Sequence, residues 1–118
     1  MSRVALMSRI AERDMTFSGR EGHWEGKCLI CGGPLRFDAR TGEGATIEHI
    51  VPRSLGGTND ERNLGIAHPR CNGEKGRRWD GGHSRKRDPN RYDEIVGRLL
   101  RERERRWREP VDEDANGR

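Results

Sequence analysis

Apolar residues recur at roughly helical spacing near both ends of the chain. Near the beginning they predict a short packing helix within residues 4–14, which ends before the polar run of residues 17–26. Near the other end Asp88 can cap a helix and Pro89 can begin it, so we expect a second helix over about residues 89–108. Its apolar stripe, which we expect to lie in the core, consists of Tyr92, Ile95, Val96, Leu99 and Leu100.

Between these helices the pattern changes to short apolar runs separated by turn-forming residues. Residues 45–51 and 63–67 are candidate β-strands, and the glycines, prolines and asparagines between them predict a hairpin with a long loop. After Pro69, residues at one-turn spacing predict a helix that fades near residues 80–82. The hairpin and the helices indicate an α+β fold.

The composition limits how such a fold can be stabilised. Of 118 residues, 30% are hydrophobic and 37% are charged, so the apolar core must be small and a disulfide or structural metal is expected to support it. We expect one domain over residues 1–110, followed by a disordered acidic tail over residues 111–118. No stretch reaches the roughly 20 apolar residues of a membrane span, which excludes a membrane-spanning role.

The three cysteines favour a metal over disulfides. An odd number cannot all pair within the chain, and no secretion signal is recognisable, so we expect a cytoplasmic protein with reduced thiols. Cys28 and Cys31 lie in a tight turn, and His68 and Cys71 repeat the same spacing, so each pair can offer two ligands to one tetrahedral zinc ion. His83 is an alternative to His68 as the fourth ligand. A redox dithiol would not require the second pair.

Positive charge is concentrated after the second metal-binding pair. The net charge is +4, and the basic residues between Arg70 and Arg91 outnumber the acidic ones there. Lys75, Arg77 and Arg78 belong to this stretch, which suits phosphate groups of a nucleic acid. The alternative interpretation is a basic surface that serves solubility alone.

The segment between and around the two pairs carries a longer motif. It consists of Ile47-Glu48-His49-Ile50-Val51-Pro52, Ser54, Gly56-Gly57, Asn63-Leu64 and Cys71-Asn72-x-x-Lys75-Gly76. In order and spacing these residues resemble the HNH endonuclease family, in particular its small stand-alone members from phages or bacteria that contain zinc knuckles. The resemblance covers about residues 28–76. It implies a ββα-metal (His-Me finger) core over about residues 27–80, in which a hairpin and a helix hold one catalytic divalent ion beside the structural zinc.

The resemblance also implies roles for the matched residues. His49 takes the position of the general base, which suits an imidazole whose ordinary pKa of about 6.5 allows proton uptake near neutrality. Glu48 and Asn72 take the metal positions, where their oxygen atoms suit Mg²⁺ or Mn²⁺. Asn63 takes the middle position, which braces the loop and orients the histidine. Glu48 replaces the commoner aspartate, and Asn72 stands where the family name has its last histidine, although many members carry asparagine there.

Neighbouring residues of a regular strand point to opposite faces of the sheet. Glu48 and His49 could then not both face one cleft. We therefore expect either a strand end or a bulge at this point.

These residues predict metal-dependent hydrolysis of DNA phosphodiester bonds, with double-stranded DNA as the partner and Lys75, Arg77 and Arg78 contacting phosphates. One alternative is a non-catalytic, zinc-stabilised DNA-binding module. Another is a nuclease subunit that assists a larger phage packaging or restriction complex and docks through the apolar stripe of residues 92–100.

Overall fold

The computed structural model describes residues 1–79 and 89–110. Several sequence expectations lie outside these ranges. They are the fading of the middle helix near residues 80–82, the alternative zinc ligand His83, the helix cap Asp88 and the disordered tail of residues 111–118.

Three α-helices lie in the described part of the chain: α1 (Arg3–Glu12), α2 (Pro69–Arg78) and α3 (Pro89–Arg106). Ser2 caps α1, because its Oγ accepts a hydrogen bond of 3.1 Å from the backbone N–H of Ala5. Proline is the first residue of both α2 and α3, where its missing N–H costs no helical hydrogen bond. All three helices therefore begin close to the predicted positions.

Five short strands in the same ranges form two antiparallel sheets. One sheet has three strands in chain order, β1 (Ser18–Arg20), β2 (His23–Lys27) and β3 (Pro34–Asp38). The other is the predicted hairpin of β4 (Thr46–His49) and β5 (Leu64–Ala67).

The three-stranded sheet was not predicted from the sequence. Neither β1 nor β2 has the alternation of apolar and polar residues that identifies a strand in a sequence. In the structure all residues of β1 are exposed and none of β2 is fully buried. β3 does alternate, with Leu35 and Phe37 buried and Pro34 and Arg36 exposed, but this pattern contains only two buried apolar residues. Pairing of strands, rather than local pattern, defines this sheet.

The main core lies between α1, β3 and the β4–β5 hairpin and includes Met7, Ile10, Phe37, Leu64 and Ile66. A second cluster joins α3 to the rest of the molecule.

In the second cluster Val96 and Leu99 pack against Leu29 and Ile50. Leu100 is partly exposed. The apolar stripe of α3 is therefore core, which limits its availability for docking to a partner.

Two buried arginines fix the C-terminal end of α3. Arg106 donates hydrogen bonds to the carbonyl groups of Lys27 and Cys28, at 2.9 and 3.3 Å. Arg103 donates to the carbonyl of Glu61 at 3.1 and 3.2 Å. Since the charged hydrogen-bond donors of both side chains meet backbone oxygens, their burial is compensated. α3 is thereby attached to the turn that carries the first cysteine.

The hairpin and α2 form the ββα unit that positions the candidate site, with α2 packed against β4. Within residues 1–79 and 89–110, none of the helices combines the length and apolar character needed to cross a bilayer.

Candidate functional site

The two predicted zinc-binding pairs converge in space. One ligand atom from each of Cys28, Cys31, His68 and Cys71 lies within 4.8 Å of all the others. The Nδ1 atom of His68 is 3.5 Å from Cys31 Sγ and 3.7 Å from Cys71 Sγ. Bond lengths of about 2.0–2.3 Å around a tetrahedral zinc imply ligand separations of roughly this size. These residues can hold a metal ion, and three sulfurs with one imidazole fit a structural zinc.

Local structure explains this convergence. Cys28 and Cys31 lie in the turn between β2 and β3, which Gly32 closes with a positive φ of 76°. His68 occupies the N-cap position of α2, and Cys71 lies in the first turn of that helix. The His68 Nε2 atom lies 3.0 Å from the carbonyl oxygen of Pro34, to which it donates, so Nδ1 keeps its lone pair for a metal.

The environment of the thiols differs between the two pairs. The backbone N–H of Gly33 lies 3.3 Å from the Cys31 sulfur and lowers the pKa of that thiol to about 7. Burial raises the pKa of the Cys71 thiol to about 12. Since zinc binds thiolates, a bound ion would favour deprotonation of both residues.

A second group of polar side chains lies between β4 and α2. Glu48 is almost fully buried, and its Oε1 accepts a hydrogen bond of 2.6 Å from Asn72 Nδ2. Asn72 Nδ2 is also 3.4 Å from the carbonyl oxygen of Ile47. The fold thus brings together the two residues that we expected to bind a divalent ion, although they are far apart in sequence.

Lys75, which we expected to contact phosphates from the same helix as Arg77 and Arg78, is not exposed to solvent. Its side chain is buried, and its Nζ atom lies 2.8 Å from Glu48 Oε2 and 3.4 Å from the carbonyl oxygen of His49. Residues three apart on a helix share a face, so Lys75 points to β4 with Asn72. Arg77 and Arg78 are exposed, and Arg78 pairs with Glu74 at 3.3 Å.

His49 is the last residue of β4, so the first of the two expected arrangements, a strand end, is present. Its Nε2 atom lies 2.8 Å from Oδ1 of Asn59, in the loop between β4 and β5. An amide oxygen only accepts hydrogen bonds, so Nε2 carries the proton and Nδ1 keeps a lone pair. Asn59 was missed in the sequence analysis, because an asparagine in a polar loop carries no signal for such a contact.

Asn63 is buried and holds the loop together. Its Oδ1 accepts from the backbone N–H of Val51 at 2.9 Å, and its Nδ2 donates to the carbonyls of Val51 and Thr58 at 3.0 and 2.9 Å. Its own carbonyl accepts from Ile50 N at 2.9 Å. These bonds brace the loop, while the contact to the imidazole comes from Asn59.

Comparison with known protein families gives one match. The family model described as HNH endonuclease matches residues 28–78, which contain both metal-binding pairs, the hairpin and α2. Residues 28–78 are therefore similar to HNH endonucleases. Comparisons with curated proteins and with solved structures give no match. HNH domains act on DNA, which indicates a nuclease or DNA-binding function and DNA as the partner.

The donor atoms around Glu48 in the matched segment are chemically suited to a hard divalent ion. Such ions prefer carboxylate and amide oxygens and keep several water ligands. Glu48 offers a carboxylate, and Asn72 would offer its amide oxygen in place of the N–H that it now donates. These two oxygen donors suit Mg²⁺ or Mn²⁺, which would compete with the Lys75 ammonium for Glu48 Oε2.

Proposed function

We propose that this chain is a metal-dependent endonuclease that hydrolyses phosphodiester bonds in double-stranded DNA. The proposal rests on one observation: within the segment that matches the HNH family model, the Glu48 carboxylate and the Asn72 amide meet beside the strand end that carries His49. A domain that only binds DNA has no need for a proton acceptor next to two oxygen ligands.

In this proposal His49 is the general base. Its Nδ1 atom, which keeps a lone pair, takes the proton from the attacking water. Nε2 stays bonded to Asn59, so the ring accepts the proton without changing its orientation. Asn63 supports this step indirectly by bracing the loop.

Glu48 and Asn72 would hold the catalytic Mg²⁺ or Mn²⁺. When bound, such an ion stabilises the negative charge that develops on the phosphate and on the leaving 3′ oxygen. Arg77 and Arg78 are exposed on α2 and would contact neighbouring phosphates, which positions the duplex without reading its sequence.

We assign a structural zinc to Cys28, Cys31, His68 and Cys71 on the basis of their mutual distances. Thiolate ligands are preserved in a reducing compartment, which supports a cytoplasmic location. The burial of Val96, Leu99 and Arg106 of α3 supports a single domain over residues 1–110.

A non-catalytic DNA-binding module is the second candidate. The observation that favours it is the ammonium group of Lys75 beside Glu48, because it neutralises the carboxylate that a divalent ion would need. A role in a larger phage packaging or restriction complex has less support, since Val96 and Leu99 of the proposed docking stripe are buried.

Cleavage of supercoiled plasmid DNA with Mg²⁺ or Mn²⁺ distinguishes the nuclease from the binding module. We expect His49→Ala to lower the cleavage rate by about 10²–10⁴-fold, the usual contribution of general acid–base catalysis, while binding to DNA is retained. His23→Ala is the matched control, because His23 pairs with Glu25 in the three-stranded sheet and has no role in the proposed reaction. Cleavage by His49→Ala at the wild-type rate would exclude His49 as the base.

A further inference from the structure

The loop between β4 and β5 is tightly folded and places the side chain of Asn59 against His49. Gly56 adopts a positive φ of 95°, and a Cβ atom on Gly57 would lie 1.7 Å from the carbonyl oxygen of Val51. The loop can therefore fold this tightly only with glycine at position 57. Its other end is held by the hydrogen bond of 2.9 Å between Asn63 Nδ2 and the Thr58 carbonyl.

Asn59 directly follows this anchored residue. Asn59 is exposed to solvent, yet its Oδ1 atom lies 2.8 Å from His49 Nε2. The next residue is also held, because the Asp60 carbonyl accepts a hydrogen bond of 2.8 Å from Asn63 N. Hydrogen bonds with Asn63 thus hold the backbone on both sides of Asn59, while the Asn59 amide itself contacts His49.

We propose that Asn59 is the positioning residue that selects the tautomer of His49. A neutral imidazole carries its proton on either nitrogen, and only the nitrogen without the proton can act as a base. The amide oxygen of Asn59 retains the proton on Nε2 and so leaves Nδ1 as the acceptor. This inference rests on the proposed role of His49 as general base.

The tautomer can be measured without any catalysis. Nitrogen-15 NMR of labelled histidine distinguishes protonated from unprotonated ring nitrogens, and the spectrum of His49→Ala assigns the signals of His49. The protein is studied with zinc but without DNA or Mg²⁺, at about pH 9, where an imidazole of ordinary pKa is neutral. We expect the wild-type protein to carry the proton on Nε2.

Two substitutions of Asn59 distinguish the effect of its acceptor oxygen from the effect of its side-chain volume. Asn59→Leu has a similar size but no acceptor, so we expect a mixture of both tautomers and a plasmid cleavage rate reduced by about 10–100-fold, as for other groups that orient a functional histidine. Asn59→Asp keeps an acceptor oxygen at the same position and should retain the Nε2 proton. Binding to DNA should be the same in Asn59→Leu as in the wild-type protein, because this substitution leaves the charge unchanged.

Thr58→Ala is the matched control, since it removes a loop hydrogen bond to Asp60 but leaves the Thr58 carbonyl and Asn59 in place. An unchanged tautomer in Asn59→Leu, or an equal change in Thr58→Ala, would overturn the inference. If the tautomer depends on Asn59 but the wild-type protein does not cut DNA, the proposed nuclease function fails and the positioning role stands. If the wild-type protein cuts DNA and Asn59→Leu cuts equally well, the proposed nuclease function stands and the positioning role of Asn59 fails.

Discussion

The side chains at the candidate site form hydrogen bonds and an ion pair with one another. The buried carboxylate of Glu48 meets the amide of Asn72 on one oxygen and the ammonium of Lys75 on the other. Burying a charge is costly unless a partner compensates it, so Lys75 stabilises Glu48 in the folded protein. A divalent ion at Glu48 must therefore compete with a cation that belongs to the chain itself.

Replacing Lys75 should consequently strengthen metal binding. We expect Lys75→Met to raise the affinity for Mn²⁺ by at least about tenfold, or roughly 1.4 kcal/mol, because the competing positive charge is removed. Without the ion the variant should be less stable, since removal of one partner of a buried ion pair costs about 3–5 kcal/mol. Electron paramagnetic resonance of free Mn²⁺ in a titration of the zinc-loaded protein measures the affinity.

Arg78→Met is the control for this titration, because it removes a cation that pairs with Glu74 on the exposed surface of the same helix. Equal Mn²⁺ affinities of Lys75→Met and the wild-type protein would show that Lys75 does not occupy the metal position.

Among the elements, α3 lies outside the segment that matches the HNH family. It is attached to that segment by the hydrogen bond from Arg106 to the carbonyl of Cys28. Glu102 orients Arg106 across one helical turn, with 2.7 Å between Oε2 and Nε. Hydrogen bonds from Arg105 in the first place, and from Arg106, lower the pKa of Glu102 to about 2. Ionised Glu102 therefore contributes to the attachment of α3.

This lowered pKa predicts a pH-dependent stability. Because the folded-state pKa of Glu102 lies below its ordinary value of 4.5, its contribution is fully present above about pH 4.5 and is lost as the pH falls towards about 2. We expect Glu102→Gln to lower the free energy of unfolding at pH 7, and the difference from the wild-type protein to shrink as the pH falls from 4.5 towards 3. Urea denaturation at several pH values tests this.

Glu104→Gln is a suitable comparison, since Glu104 contacts Arg62 at the surface rather than a buried arginine. A constant difference between Glu102→Gln and wild type over this pH range would contradict the assignment.

For the whole molecule, a metal ion held by Cys28, Cys31, His68 and Cys71 would compensate for the small apolar core. These residues link the turn between β2 and β3 to the beginning of α2, and Cys28 is itself part of the main core. The proposed zinc therefore connects the three-stranded sheet to the helix that carries Asn72. Its loss should affect both the fold and the candidate site around Glu48.

We expect one tightly bound zinc per chain and loss of folded structure when it is removed. Structural zinc contributes an apparent free energy of about 10–16 kcal/mol in zinc-finger peptides, more than the total stability of most small domains. Metal analysis of the purified protein and circular dichroism during titration with a chelator test this, and Cys71→Ser should behave like the chelated protein. A zinc-free protein that remains fully folded would contradict the proposed structural role of zinc.

Much of the fold and the site could be predicted from the sequence because the relevant signals are local. Two such signals each extend over only a few residues. They are the prolines that begin α2 and α3 and the repeated spacing of the pairs Cys28–Cys31 and His68–Cys71. Strands β1 and β2 could not be predicted, since they are stabilised by pairing with each other and with β3 rather than by an apolar pattern of their own.

The sequence by itself determined which chemical groups are available and in which order: four soft metal ligands, a carboxylate followed by an imidazole, and two asparagines at fixed spacing. Only the tertiary structure decided which of these groups meet. It turned Lys75 inwards to Glu48 rather than outwards to solvent, and it brought Asn59 to the ring of His49. The physical reason is that spacing along a helix or turn is fixed by covalent geometry, whereas the contact of distant side chains depends on how the elements pack and how the loop between them closes.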